Sequence, residues 1–365
     1  PGAGLMSLRE AVLLDNNTPM GNLPITFDLI VFSTARTITL TGSQLELTNT
    51  RGVASIIGPT AGVTISGGGL SRVFQIDSGV SASISGLTIS GGYAGDSYGG
   101  GLANFGTLTL TDCTISGNSA AFAGGGVVNY SKLAMTRCAI NDNSVAAYYG
   151  DAGGLLNFGT LGMTGCTVSG NSAGYLGGGM ANFGTLTMNR CTVDANSASS
   201  YYGYGGGLFN FNSGTATLSN CTVSGTSAGG SGFASGGGVH NRGTISLINC
   251  TISGNSVHGF PWVSGGGLSN SGRATLTGCT ISGNSAGDGG GGVHSGDAMT
   301  LTDCTISGNT ATGSGGGVYT TGGAIIYYTP YGWDPHLYFA TTTLNNCTVS
   351  GNTAGGSGGG VATRS

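Results

Sequence analysis

Nine cysteines stand at residues 113, 138, 166, 191, 221, 250, 279, 304 and 347, so their spacings are 25, 28, 25, 30, 29, 29, 25 and 43. Around each lies one motif, of which Cys113-Thr114-Ile115-Ser116-Gly117-Asn118-Ser119-Ala120 is typical. A Gly-rich stretch follows, then a unit such as Gly179-Met180-Ala181-Asn182-Phe183-Gly184, then an alternating segment such as Thr185-Leu186-Thr187-Met188. A motif that returns every 25 to 30 residues marks a stacked repeat. One such unit cannot bury its own apolar side chains, and its neighbours must do it.

Each segment alternates apolar and polar residues with period two, which predicts short strands. Three strands per repeat, separated by Gly and Asn bends, make a triangular coil. The sequence therefore predicts an all-β chain, a right-handed parallel β-helix of about 11 to 13 coils. Val63-Thr64-Ile65-Ser66 and Leu87-Thr88-Ile89-Ser90 fit the same column without cysteine. Identical residues then stack in ladders. Leu, Ile and Val fill the interior. The cysteines alternate with outward Thr and so point inward, as free thiols. In-register parallel neighbours have poor disulfide geometry. Two Asn ladders are expected, one running from Asn104 to Asn270 and one from Asn118 to Asn352. An Asn amide bonds the next coil's amide and tolerates left-handed bends.

The start differs. Ser7-Leu8-Arg9-Glu10 reads as a capping box opening a short helix that covers the end of the stack. The expected layout is an N-terminal cap over 1–24 and one β-helix over 25–365. Within the β-helix, coils are less regular over 25–86 and regular over 87–320. An aromatic insertion spans 321–341, and a last coil spans 342–365. Gly360-Val361-Ala362-Thr363 begins a coil that is not completed. That open coil reads as a template for end-on assembly into a filament, or as the continuation of a longer native chain. The absence of a signal peptide at Pro1 likewise reads as a removed leader or a fragment.

With these residues in view, the chain resembles a known group. Met6-Ser7-Leu8-Arg9-Glu10-Ala11 is similar to the Cys-Ser-Leu-Arg-Glu-Ala motif of large secreted bacterial β-helix proteins, with Met6 in place of the Cys. The Thr-Ile-Ser-Gly-Asn-Ser-Ala and Gly-Gly-Gly-Val units resemble the repeats of polymorphic outer-membrane proteins and autotransporter-like adhesins. The resemblance covers nearly the whole chain. It implies a surface or extracellular protein, and the same fold also hosts pectate-lyase-like enzymes.

Composition narrows the partners. The net charge is −4, and Lys132 is the only lysine, which argues against nucleic acid or an anionic membrane. No apolar run is long enough to span a bilayer. Catalysis on a polysaccharide would need acids on adjacent coils, yet Glu occurs only at Glu10 and Glu46 and the Asp residues scatter. Asp112 and Arg137 share a column and read as an ion pair at a bend. His240 and His294 share a column with Ser269 between them, two coils apart, too far to hold one metal, and read as surface histidines. Gly-rich stretches with Asp96, Asp151 or Asp288 bear a faint likeness to calcium-binding repeats, so no cofactor is expected, with calcium as the weak alternative.

Two outward surfaces remain. The first is a flat Thr and Ser array, compatible with passive ice or glycan binding. The second is an aromatic edge on the loops before the Gly triplets. It includes Tyr148, Tyr149, Tyr201, Tyr202, Tyr204 and Trp262, and the later insertion adds Tyr331 and Trp333. Rings bury much area at small entropic cost, so this edge is the candidate contact surface. The sequence thus predicts a non-catalytic structural or adhesive protein of the cell surface or extracellular space. Its partners would be other surface proteins, a polysaccharide or copies of itself. The alternative is a carbohydrate-active enzyme.

Overall fold

A computed structural model describes residues 6–19, 24–259, 263–329, 332–338 and 340–364. The chain divides into two compact units, Pro1–Ala173 with Gly179–Thr192, and Gly174–Gly178 with Val193–Ser365. Each is a stack of coils built from parallel strands, a β-solenoid.

In the first unit one coil runs through Leu102–Asn104, Thr107–Thr111, Thr114–Ser116 and Ser119–Ala120. Leu102 pairs in register with Val127, Thr107 with Lys132 and Thr114 with Ala139, so every column holds one residue per coil. The second unit repeats the pattern, with Leu208 opposite Val239, Thr215 opposite Thr244 and Thr222 opposite Thr251. The strands of a coil belong to three long sheets, termed here first, second and third in chain order. The sequence missed a fourth strand of two residues, such as Ser119–Ala120, which lies where a plain bend was expected. The corners on either side of the third-sheet strand turn on a left-handed residue. Asp112 sits at φ +52 and Gly117 at φ +63. Gly, Asp and Asn adopt that geometry readily, which is why they recur there.

The Gly triplets have a separate cause. Gly99 takes φ +71, and a Cβ on the next residue, Gly100, would run into the carbonyl oxygen of Ser119. The loop backbone therefore lies directly against the coil.

The interior is filled as expected. Leu108, Leu110, Ile115 and Cys113 are buried in one coil, and Ile245, Leu247, Ile252 and Cys250 in another. None of the nine cysteines is in a disulfide. Asn104, Asn129, Asn157 and Asn182 form one amide ladder in the first unit, with Nδ2 to Oδ1 distances of 2.7, 2.8 and 2.7 Å. Asn210, Asn241 and Asn270 form its counterpart in the second unit. In the other ladder Thr226 replaces an Asn, and its hydroxyl donates to Asn255 Oδ1 at 2.8 Å.

The N-terminal helix spans Leu8–Asn17, with the Ser7–Glu10 capping box in place. Its side chains close a strand edge. Arg9 donates to the carbonyls of Ser43 and Gln44 at 2.6 and 3.0 Å. Asn16 donates to Glu46 O at 2.7 Å and accepts from Thr48 N–H at 2.9 Å. In the second unit Gly323–Thr329 and Gly332–Tyr338 form an antiparallel hairpin in the segment read as an insertion.

Candidate functional site

The loop rings sit on segments that leave the fourth strand and return through a Gly triplet. In the first unit Tyr148 and Tyr149 meet edge to face, with centroids 4.8 Å apart, and are 51% and 64% exposed. Tyr98 and Phe122 lie 6.4 Å apart on the preceding loops. In the second unit the rings gather. Tyr201 packs edge-on against Tyr202 at 4.6 Å, and Tyr202 stacks on Phe233 at 5.9 Å and 7°. Tyr175 meets Tyr202 at 6.4 Å and Tyr204 at 5.6 Å. Trp262 and Tyr331 lie outside the described residues, as does the side chain of Trp333, whose backbone belongs to the hairpin strand Gly332–Tyr338.

Tyr204 leads inward. It lies on Gly203–Tyr204, which pairs with Ala234–Ser235, which in turn pairs with Val263–Ser264, a small sheet laid over the first sheet. Beneath it lies His240, and the structure corrects the surface reading of this residue. His240 is 3% exposed. Its ring stacks on Phe209 at 5.3 Å and 3° and meets Tyr204 at 5.2 Å. Ser235 Oγ lies 2.8 Å from Nδ1, while Nε2 is buried without a partner. Burial, then the nearby Arg242 and His294, hold the imidazole well below the usual histidine range. His294 is half-buried and meets Tyr319 at 5.7 Å and a 37° tilt, and burial pulls it down to about 4. The Arg242 guanidinium lies 5.4 Å from the Tyr204 ring centroid, within cation–π range. Burial raises the Tyr204 hydroxyl first, its tyrosine neighbours add to this, and Arg242 opposes it.

Alternation does place His240 on the outward side of its strand. The error lay in equating outward with exposed, because the glycine-rich loops cover that side.

Two further groups escaped the sequence reading. Phe105, Tyr130, Phe158 and Phe183 stack at one corner of the first unit, with centroids 4.9, 5.1 and 5.1 Å apart. The signal was the residue after each ladder Asn. Phe105, Tyr130 and Phe158 use their faces on one another. The second group surrounds Arg72. Nε bonds Gly99 O at 2.9 Å, Nη1 bonds the Oε1 atoms of Gln44 and Gln75 at 2.9 Å each, and Nη2 bonds Ser97 Oγ and Tyr98 O. All five donors of the guanidinium are used. Gln75 Nε2 then donates to Glu46 Oε1 and Asp77 Oδ1, both at 2.8 Å. Burial lowers Arg72, against the opposing pull of Tyr130 and Glu46.

The expected Asp112–Arg137 pair is present at 2.7 Å and exposed. Among the described residues no group of three or more His, Cys, Asp or Glu side chains is placed to hold a metal ion.

The family model of the right-handed beta helix region matches residues 74–242 and 179–364. The chain belongs to that family. No curated protein and no solved structure matches it. In this right-handed beta helix the loop rings and the Arg72 group lie outside the coils, and the inward columns are packed side chains. What such an outer surface can do chemically is hold a partner by ring contact and hydrogen bonds. No helix among the described residues is long and apolar enough to cross a membrane.

Proposed function

We propose that this chain is a non-catalytic structural or adhesive protein of the bacterial cell surface or extracellular space, acting through its loop rings without a cofactor. The observation that carries the reading is the ring group of Tyr175, Tyr201, Tyr202 and Phe233, in which Tyr201 and Phe233 stand exposed. Rings held by one another lose little entropy on binding and bury a large area. The partner is a polysaccharide, another surface protein or a further copy of the chain, and the last makes it an assembly subunit. The likeness of Met6–Ala11 and the Gly repeats to bacterial adhesins supports the location.

The test compares the wild type with Tyr201→Ser/Phe233→Ser in binding to immobilised polysaccharides and whole cells, with light scattering for self-association. The variant is expected to lose binding tenfold or more while keeping its fold. Unchanged binding removes the ring surface from the account.

A second reading, a carbohydrate-active enzyme, draws on the Glu46 and Asp77 carboxylates that share the Gln75 amide. Release of reducing or unsaturated sugars, lost in Glu46→Gln and Asp77→Asn, would favour it.

A further inference from the structure

Cys113, Cys138, Cys166 and Cys191 are buried in the first unit, and Cys221, Cys250, Cys279 and Cys304 in the second, where Cys347 is half-buried. Each stands just before a strand whose register is fixed, so successive cysteines are one coil apart. Their sulfurs are close enough to share backbone groups. The N–H groups of Cys138 and Cys166 donate at 3.4 Å to the sulfurs of Cys166 and Cys191. A coil rises about 4.8 Å. A disulfide instead needs the two Cβ atoms within about 3.8 Å.

We propose that this column binds two-coordinate thiophilic d10 metal ions, each seated between the thiolates of adjacent coils. The length fits. Two metal–thiolate bonds of about 2.3 Å in line span about 4.6 Å, close to one coil rise, so the ion enters the column without spreading it. The coordination number fits as well. A tetrahedral site has no ligand set here among the described residues, and a linear one needs only two sulfurs. Softness fits, since thiolates select such ions. In the first unit a second buried sulfur column, Met135, Met163 and Met188, runs beside the cysteines in register.

Charge picks the preferred member. Two thiols and one Hg(II) give a neutral bis-thiolate and release two protons, with no change of oxidation state. A monovalent ion leaves one negative charge in an apolar interior, which is costly. The backbone N–H bonds to sulfur favour the thiolate.

The test titrates the whole folded chain with Hg(II), buffered by free histidine, at neutral pH. Four ions per chain are expected, two per unit. Two protons should appear per ion, X-ray absorption should show two sulfurs at about 2.3 Å, and the circular dichroism should not change. Cys138→Ala strands Cys113 and reduces the count from four to three. Cys304→Ala strands Cys347 and does the same, should the first variant not fold. Three or four sulfurs per ion, an unchanged count in both variants, or uptake only after denaturation would overturn the proposal.

Discussion

The two units handle the same repeat in opposite ways at their first sheet. In the first unit the outward column reads Ala103, Val128, Leu156 and Ala181, and the rings stand at the next corner as Phe105, Tyr130, Phe158 and Phe183. In the second unit the corner passes from Phe211 to Arg242 and Ser271. The rings occupy the outward column itself, as Phe209, His240, His294 and Tyr319. Cover makes the difference. The loop strands Gly203–Tyr204, Ala234–Ser235 and Val263–Ser264 pair as a small sheet, backed by a separate apolar cluster of Ala228, Ala234, Val257, Val263 and Ala286. A roof of that kind buries Phe209 and His240. Where the loop is a short glycine turn, the residue beneath is aliphatic, as Leu156 is under Gly124, or a ring left half-buried, as Tyr319 is under Gly289 and Gly315. A paired loop roof therefore turns the outward column beneath it into core.

The largest expected effect is at Phe209. It is fully buried, and its truncation to Ala removes the face that His240 stacks on. A loss of about 3–5 kcal/mol is expected in urea unfolding, with amide protection falling in the second unit. A loss below about 1 kcal/mol would mean that the loop roof supplies no core.

Acid comes next. All four histidines lie in the second unit. His294 titrates near 4 in the folded chain and near 6.5 when unfolded. The unfolded chain therefore binds more protons between these values. The stabilisation is complete above pH 6.5, declines as pH falls through the window and is gone below about 4. It amounts to about 3 kcal/mol for this residue, and His240 shifts in the same direction. Hydrogen exchange from pH 7 to 5 should show the second unit loosening while the first holds. Equal loosening of both, or no relief in His294→Gln, would break the contrast.

Tyr130→Ala interrupts the exposed ring stack of the first unit. Because those rings are half in solvent, about 1–2 kcal/mol is expected by thermal melting. A cost equal to that of Phe209→Ala would show that outer and inner ring columns are equivalent. The smallest effect is at Asp112→Asn, which keeps the left-handed corner and removes only the charge facing the exposed Arg137. No measurable change in melting temperature is expected, and a clear drop would make that corner structural.

Much of this was legible in the residues. The cysteine period set the coil, and alternation set inward Cys113 and Ile115. The second residue after each sheet-three strand set the Asn118 ladder. Ser7 with Glu10 set the helix start. These features are local, or repeat at one period, and a sequence displays both kinds. The roof over His240 was not legible, because alternation assigns a side and says nothing of what folds over it. The ring stack at Phe105 was hidden by its proximity to the Asn column, which took the attention. The Arg72 group joins residues of three successive turns that carry no motif, so only the fold brings them together.

The contacts of Arg9 and Asn16 bear on how such a chain finds its frame. Columns of identical residues let any turn dock one period early or late with nearly the same side-chain match. The carbonyls of Ser43, Gln44 and Glu46 and the N–H of Thr48 meet partners that recur in no repeat of this sequence. The helix thus provides a counting origin. Once the first turn is fixed to it, each later turn has its place by succession, and a slip of that first turn would cost these hydrogen bonds.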